Sequence, residues 1–82
     1  MKCPRIKDIK VEDNFIFIVT FDNGIRKEYD FKRNFDNPVF RELKNENFFK
    51  QVNIDNGGYG ISWNDDLDLS EYELWKNGKT CN

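Results

Sequence analysis

One run constrains this chain more than any other: Phe15-Ile16-Phe17-Ile18-Val19-Thr20-Phe21, followed at once by Asp22-Asn23-Gly24. Every residue in the run is β-branched or aromatic, the types that fit a pleated surface. Strand side chains alternate, so Phe15, Phe17, Val19 and Phe21 share one face and Ile16, Ile18 and Thr20 the other. Both faces are apolar, which predicts a central strand covered on both sides. Asn-Gly between two β-rich runs specifies a hairpin, because a type I′ turn needs φ > 0 at both central residues. The chain is therefore expected to return through Ile25 to Phe31. There Ile25, Tyr29 and Phe31 face inward with Lys27 among them, and Arg26, Glu28 and Asp30 face water. Upstream, Ile6, Ile9 and Val11 mark a strand over Arg5–Val11. Its spacing is not a clean alternation, so a bulge or slip of face is expected near Asp8. Glu12-Asp13-Asn14 supplies the turn, and a three-stranded meander results.

The period then changes. Asn37-Pro38 reads as a helix start, with Asn as N-cap and Pro at the first helical position. Val39, Phe40 and Leu43 form a short apolar stripe, and Asn45 caps a second turn that carries Phe48 and Phe49 inward. Segments of about two turns do not stand alone in water, so they must dock on the sheet. Gln51 to Ile54 and Tyr59 to Trp63 read as a second hairpin around Asp55-Asn56-Gly57-Gly58, with Tyr59, Ile61 and Trp63 on one face. Ser70 and Glu73 fit a capping box for a last short helix over about Glu71 to Lys76, its contact face being Tyr72, Leu74 and Trp75. Asn77-Gly78 ends it, and the final residues are expected to be disordered. The fold class is α+β: one antiparallel sheet of about five strands, short helices between its hairpins, and a short C-terminal helix. The whole chain of 82 residues is one domain, with its core over about 4–76.

So short a chain buries only about 60% of its unfolded surface. Eight Phe, three Tyr and two Trp compensate with large buried rings. The start lacks the apolar stretch of a signal peptide, and no run approaches the ~20 residues of a membrane span. A cytoplasmic protein with no membrane partner is the expectation. Cys3 and Cys81 have no metal-ligand spacing; they are two free thiols in a reducing compartment, or a disulfide tying the ends together in an oxidising one.

Chemistry is sparse. The chain has no histidine, which removes the commonest general base and metal ligand. Gly57-Gly58-Tyr59-Gly60 precedes a strand, so it lacks the helix N-terminus a phosphate uses. Asp65, Asp66 and Asp68 are the one carboxylate cluster, a weak metal candidate. The EF-hand spacing fails, because Ser70 and Lys76 stand where the loop needs Gly and Glu. Otherwise the cluster is an acidic turn favouring a helix N-terminus. Residues 1–33 carry eight Lys/Arg against six Asp/Glu and residues 34–82 five against nine. Neither balance suits phosphate neutralisation, so direct nucleic-acid binding is not expected. Arg26, Lys27, Lys32 and Arg33 are candidates for a small patch facing an acidic partner. Tyr59 is an aromatic candidate for the same surface, and Trp63 and Trp75 are either core residues or interface anchors.

The order of signals resembles a family. Pro4-Arg5-Ile6, Thr20-Phe21-Asp22-Asn23-Gly24, Val39-Phe40-Arg41-Glu42-Leu43, Phe48-Phe49-Lys50-Gln51-Val52, Gly60-Ile61-Ser62-Trp63-Asn64 and Leu67-Asp68-Leu69-Ser70 occur in an order and spacing similar to the bacterial domain of unknown function 2442. The resemblance covers about residues 4–75. It implies a small α+β sheet domain, found alone or joined to a helix-turn-helix, and sometimes beside small genes in arrangements like toxin–antitoxin pairs. It implies no catalytic residues. This chain departs from many relatives by placing Asn64-Asp65-Asp66 where Pro-Asn-Gly is common, and it has no room for a helix-turn-helix.

Without catalytic groups or a cofactor signature, the expected function is a non-enzymatic protein-interaction module. Its partner is another protein or a second copy, reached through the sheet's unpaired edges. The alternatives are a regulatory or antitoxin-like component, which rests on the resemblance, and a metal binder at the acidic turn.

Overall fold

The computed structural model describes residues 3–81. In chain order the elements are β1 (Ile6–Glu12), β2 (Ile16–Phe21), β3 (Arg26–Asp30), 3-10 turns at Phe31–Asn34 and Pro38–Lys44, and helix α1 (Glu46–Phe49). Then come β4 (Asn53–Ile54), a turn at Asn56–Gly58 in which both glycines take positive φ, β5 (Gly60–Asn64), β6 (Leu67–Ser70), helix α2 (Glu71–Asn77) and β7 (Lys79–Thr80). The fold is α+β with antiparallel pairing throughout.

The three-stranded meander forms as the sequence predicts, but its hairpin turn is not type I′: of Asn23 and Gly24 only the glycine takes a positive φ, 86°, and its N–H donates back to the Phe21 carbonyl at 2.9 Å. Its register shifts between Ile6 and Asp8, at the expected bulge. Phe17, Val19 and Phe21 of β2 are fully buried, and Asn23 Oδ1 accepts from the Ile25 N–H in the hairpin turn. Phe15 departs from the expectation. It closes the β1–β2 turn with φ 61°, after Asn14 at φ 67°. A left-handed phenylalanine costs about 1–3 kcal/mol. Here the strain turns the ring inward, edge-on to Phe35 and Phe49 at centroid distances of 5.1 and 5.0 Å.

The strands do not make one five-stranded sheet. They divide into a four-stranded sheet in the order β1-β2-β3-β7 and a three-stranded sheet in the order β4-β5-β6. Phe17, Tyr29, Ile61 and Trp63 belong to one continuous core, so the inner faces of the two sheets share it. The segment between the hairpins explains the division. Asn37 caps the Pro38–Lys44 turn and Asn45 caps α1, as expected. These turns bury Leu43 and Phe49 against the core, and the second hairpin that follows meets the first sheet at its β1 edge, where β4 and the Asn56–Gly58 turn lie.

The C-terminal third holds the remaining differences. Leu67–Ser70 is a strand, paired with β5 across a tight turn in which Asn64 Oδ1 accepts from the N–H groups of Asp66 and Leu67. Ser70 caps α2 by accepting from the Glu73 N–H at 3.1 Å. The Glu73 carboxylate does not return to the cap, but accepts from the Tyr29 hydroxyl at 2.7 Å and from Asn77 Nδ2 at 3.0 Å. Leu74 faces the core, whereas Tyr72, expected on the contact face, is exposed. Residues expected to be disordered form β7, which pairs with Lys27 and Glu28 of β3. The Cys81 N–H adds a bond to the Arg26 carbonyl. Asn82 lies outside the described residues.

Candidate functional site

The basic residues singled out from the sequence do not come together as one patch. Arg26 and Lys27 are neighbours on β3 and point to opposite faces. Lys27 folds inward, its Nζ 4.4 Å from the Trp75 ring centre. Lys32 is held at the far end of β3, 3.0 Å from Asp30 and donating to the Asn14 carbonyl at 2.7 Å. Arg33 donates to the Asn77 carbonyl at 3.2 Å. Burial pushes the Asp30 carboxyl up, but the hydrogen bonds and charge of Lys32 outweigh it and hold the group below the ordinary aspartate range.

The aromatic candidates separate as well. Tyr59 is exposed, with the Arg5 guanidinium stacked 3.6 Å from its ring centre. It ends the Asn56–Gly58 turn, so it does not share a strand face with Ile61 and Trp63. Trp63 is a correction to the expected surface: it is only 9% exposed. Its indole N–H donates to the Phe49 carbonyl at 2.9 Å, which satisfies the one polar atom of a ring buried among phenylalanines. Trp75 is half-buried, edge-on to Phe21 at 5.1 Å.

Asp65, Asp66 and Asp68 are all exposed. Asp65 and Asp66 sit in the β5–β6 turn and Asp68 on β6. Among the described residues no group of three His, Cys, Asp or Glu side chains is placed to hold a metal. Cys3 and Cys81 are free thiols. They extend β1 and β7, the opposite edges of a four-stranded sheet. Burial, then the Glu71 carboxylate 3.7 Å away, pushes the Cys3 thiol up, which disfavours the nucleophilic thiolate.

Two features were not among the site candidates drawn from the sequence. One is the bonding around Tyr29, whose fully buried ring puts its hydroxyl between Glu73 and Asn34 Nδ2, the latter at 2.9 Å. Burial first, with the bond to Glu73 adding to it, raises the phenol above its ordinary value of 10.0. The unfolded phenol ionises before the folded one, so this contribution to stability is whole below pH 10 and lost as pH rises above it. Stability should then fall by about 1.4 kcal/mol per pH unit from this group. Denaturant melts between pH 9 and 11 should show that component in the native chain and not in Tyr29→Phe.

The other feature is the outer face of the four-stranded sheet. Register places Glu12, Ile16 and Asp30 in one row, Lys10, Ile18, Glu28 and Lys79 in the next, and Asp8, Thr20 and Arg26 in the third. Ile16 and Ile18 form an apolar strip on the central strand, framed by charges of both signs. They are half-buried yet do not pack against the core. The sequence signalled them as a covered second face; among the described residues no part of the core packs over them.

Among the described residues no helix is long and apolar enough to cross a membrane. No curated protein and no solved structure matches the chain. A family model described as "Protein of unknown function (DUF2442)" matches residues 6–80, so nearly the whole fold, from β1 to β7, is covered and the chain belongs to that family.

Proposed function

We propose that this chain is a non-enzymatic protein-interaction module that presents the outer face of its four-stranded sheet to another polypeptide. The observation that carries the reading is the Ile16–Ile18 strip, apolar on a central strand, half-buried and outside the residues that pack on the core. An apolar centre within a charged frame is the anatomy of a protein interface. The non-enzymatic part is supported by the lack of histidine and by the engaged hydroxyls: Ser62 donates to Asp55 at 2.6 Å and Ser70 caps α2.

Size decides the strength of such a contact. Four strands of about five residues span a face of roughly 300 Å². A stable interface buries about 800 Å² per partner. The face alone therefore supports a transient contact, and a durable one must extend past its edges. A partner encoded beside the chain would make the module a regulatory or antitoxin-like component.

Photo-crosslinking in the native host tests the reading. With Ile18 replaced by benzoylphenylalanine, irradiation should give one discrete adduct whose mass identifies either a second copy or another protein. The same replacement at exposed Tyr72, on the helix side, should not. Equal diffuse background from both positions would sink the proposal.

A further inference from the structure

β1 is an edge strand of the four-stranded sheet, and among the described residues no strand pairs with its outer side. We infer that this edge pairs with its own copy, antiparallel and centred on Val11, so that two chains form one continuous eight-stranded sheet. The inference goes beyond the proposed function, since edge and face are different surfaces and either can fail alone.

The register follows from three constraints. Backbone donors and acceptors alternate in direction along a strand. A two-fold edge pairing therefore sets residues of the same parity opposite each other, and the candidate centres are Ile9, Lys10 and Val11. Charge decides next. Asp8, Lys10 and Glu12 lie on the outer face, in register with Thr20, Ile18 and Ile16. A centre at Lys10 sets Lys10 against itself and Asp8 against Glu12, which like charges disfavour. A centre at Ile9 sets Asp8 against Lys10. A centre at Val11 sets Lys10 against Glu12 twice, once on each side of the axis. The last constraint is steric. The backbone of Gly58 lies directly against Ile6, so the N-terminal end of the edge is occupied, and the bulge between Ile6 and Asp8 breaks its register. β4 also lies beside β1; a centre at Ile9 needs the occupied end, whereas a centre at Val11 reaches only from Ile9 to Asp13, away from Gly58.

The side chains suit this use. Lys10 Nζ sits 3.9 Å from Glu12 Oε1, and the two side chains are 72% and 46% exposed. Such a pair is weak and loses little by exchanging for two cross-strand pairs with a second copy. On the inner side, Ile9 and Val11 pack on the core but remain half-buried. Val11 against Val11 of the second copy would add to the cover of that residue. Alternating charges guard this edge against an arbitrary strand, while the order Lys10-Val11-Glu12 makes it complementary to itself.

Charge exchange tests the pairing in the full chain. Sedimentation equilibrium of the native chain should show a concentration-dependent mass rising to twice the 9.9 kDa of one chain. Lys10→Glu and Glu12→Lys should each weaken the dimer about tenfold or more, because both symmetric pairs turn repulsive. The double exchange, Lys10→Glu with Glu12→Lys, should restore it. In the native chain, amide exchange at residues 10–12 should slow with rising protein concentration, which reads the pairing without any variant. A native chain that stays monomeric, single variants that dimerise as well as the native chain, a double exchange that fails to recover, or amide exchange indifferent to concentration would each overturn the inference. Crosslinking from Ile18 reads the face alone, so its failure would leave this result standing.

Discussion

Phe31→Ala is expected to cost 3 kcal/mol or more and to lower the melting temperature by at least about 12 °C. Phe31 is fully buried where β3 runs into the first 3-10 turn. Its ring lies within 5.2–6.0 Å of the ring centres of Phe17, Phe35, Phe40, Phe49 and Trp63. Those neighbours come from β2, the helical segment and β5, so one truncation loosens both sheets and the link between them. Buried Phe→Ala changes cost about 3–5 kcal/mol, and each lost edge-to-face pair adds to that. A chain of 82 residues has about 4–12 kcal/mol in total. The variant should therefore stand near its unfolding threshold. Phe31→Leu keeps most of the volume and should lose about half as much. Thermal melts followed by tryptophan emission test this, because the Trp63 ring is a direct neighbour. A Phe31→Ala melt within 5 °C of the native chain would show that the cluster does not hold the two sheets together.

Gly58→Ala should be nearly as damaging for a different reason. Gly58 has φ 74°, a conformation that L side chains seldom adopt. A Cβ there would run into the Ile6 carbonyl oxygen and lie 2.9 Å from the Ile6 nitrogen. Backbone does not yield as a flexible side chain does. Conformational strain of about 1–3 kcal/mol and overpacking of about 1–3 kcal/mol therefore add, to roughly 2–6 kcal/mol. Gly24 is the internal control: its φ is 86°, but a Cβ there meets nothing within 4 Å. Gly24→Ala should lose only the conformational part, about 1 kcal/mol. Urea melts of the two variants measure the difference. Equal losses would mean that the close approach of the Asn56–Gly58 turn to β1 contributes nothing to stability.

Local chemistry was legible in the residues wherever one short segment settles the matter. Asn23-Gly24 turns the first hairpin because Gly24 accepts a positive φ and the Asn23 side-chain oxygen accepts from the Ile25 N–H. Asn37, Asn45 and Ser70 cap because their side-chain oxygens reach N–H groups two or three residues on. The inward set Phe17, Val19, Phe21, Tyr29 and Phe31 follows from strand alternation alone. The candidate site was less legible. Trp63 was offered as a surface residue because an indole serves an interface or a core equally well; only the Phe49 carbonyl, fourteen positions away in sequence, shows which. Leu67–Ser70 looked like an acidic lead into a helix, and it is a strand because β5 lies beside it.

The amino-acid order by itself determined the first two strand reversals, the hairpin at Asp55–Gly58, the caps and the apolar side of the meander strands, since those depend on dihedral preference and on bonds spanning a few residues. Tertiary structure alone decided that the strands divide into two sheets, that Lys79–Thr80 closes the edge of β3, and that Ile16 and Ile18 lie outside the core. The physical reason is the same in each case. Hydrophobic burial has no direction, so an apolar face states that it needs cover but not what will cover it. That choice is made by segments far apart in the chain: the capped turns fill the space under the first sheet on one side only, and leave the Ile16–Ile18 face open.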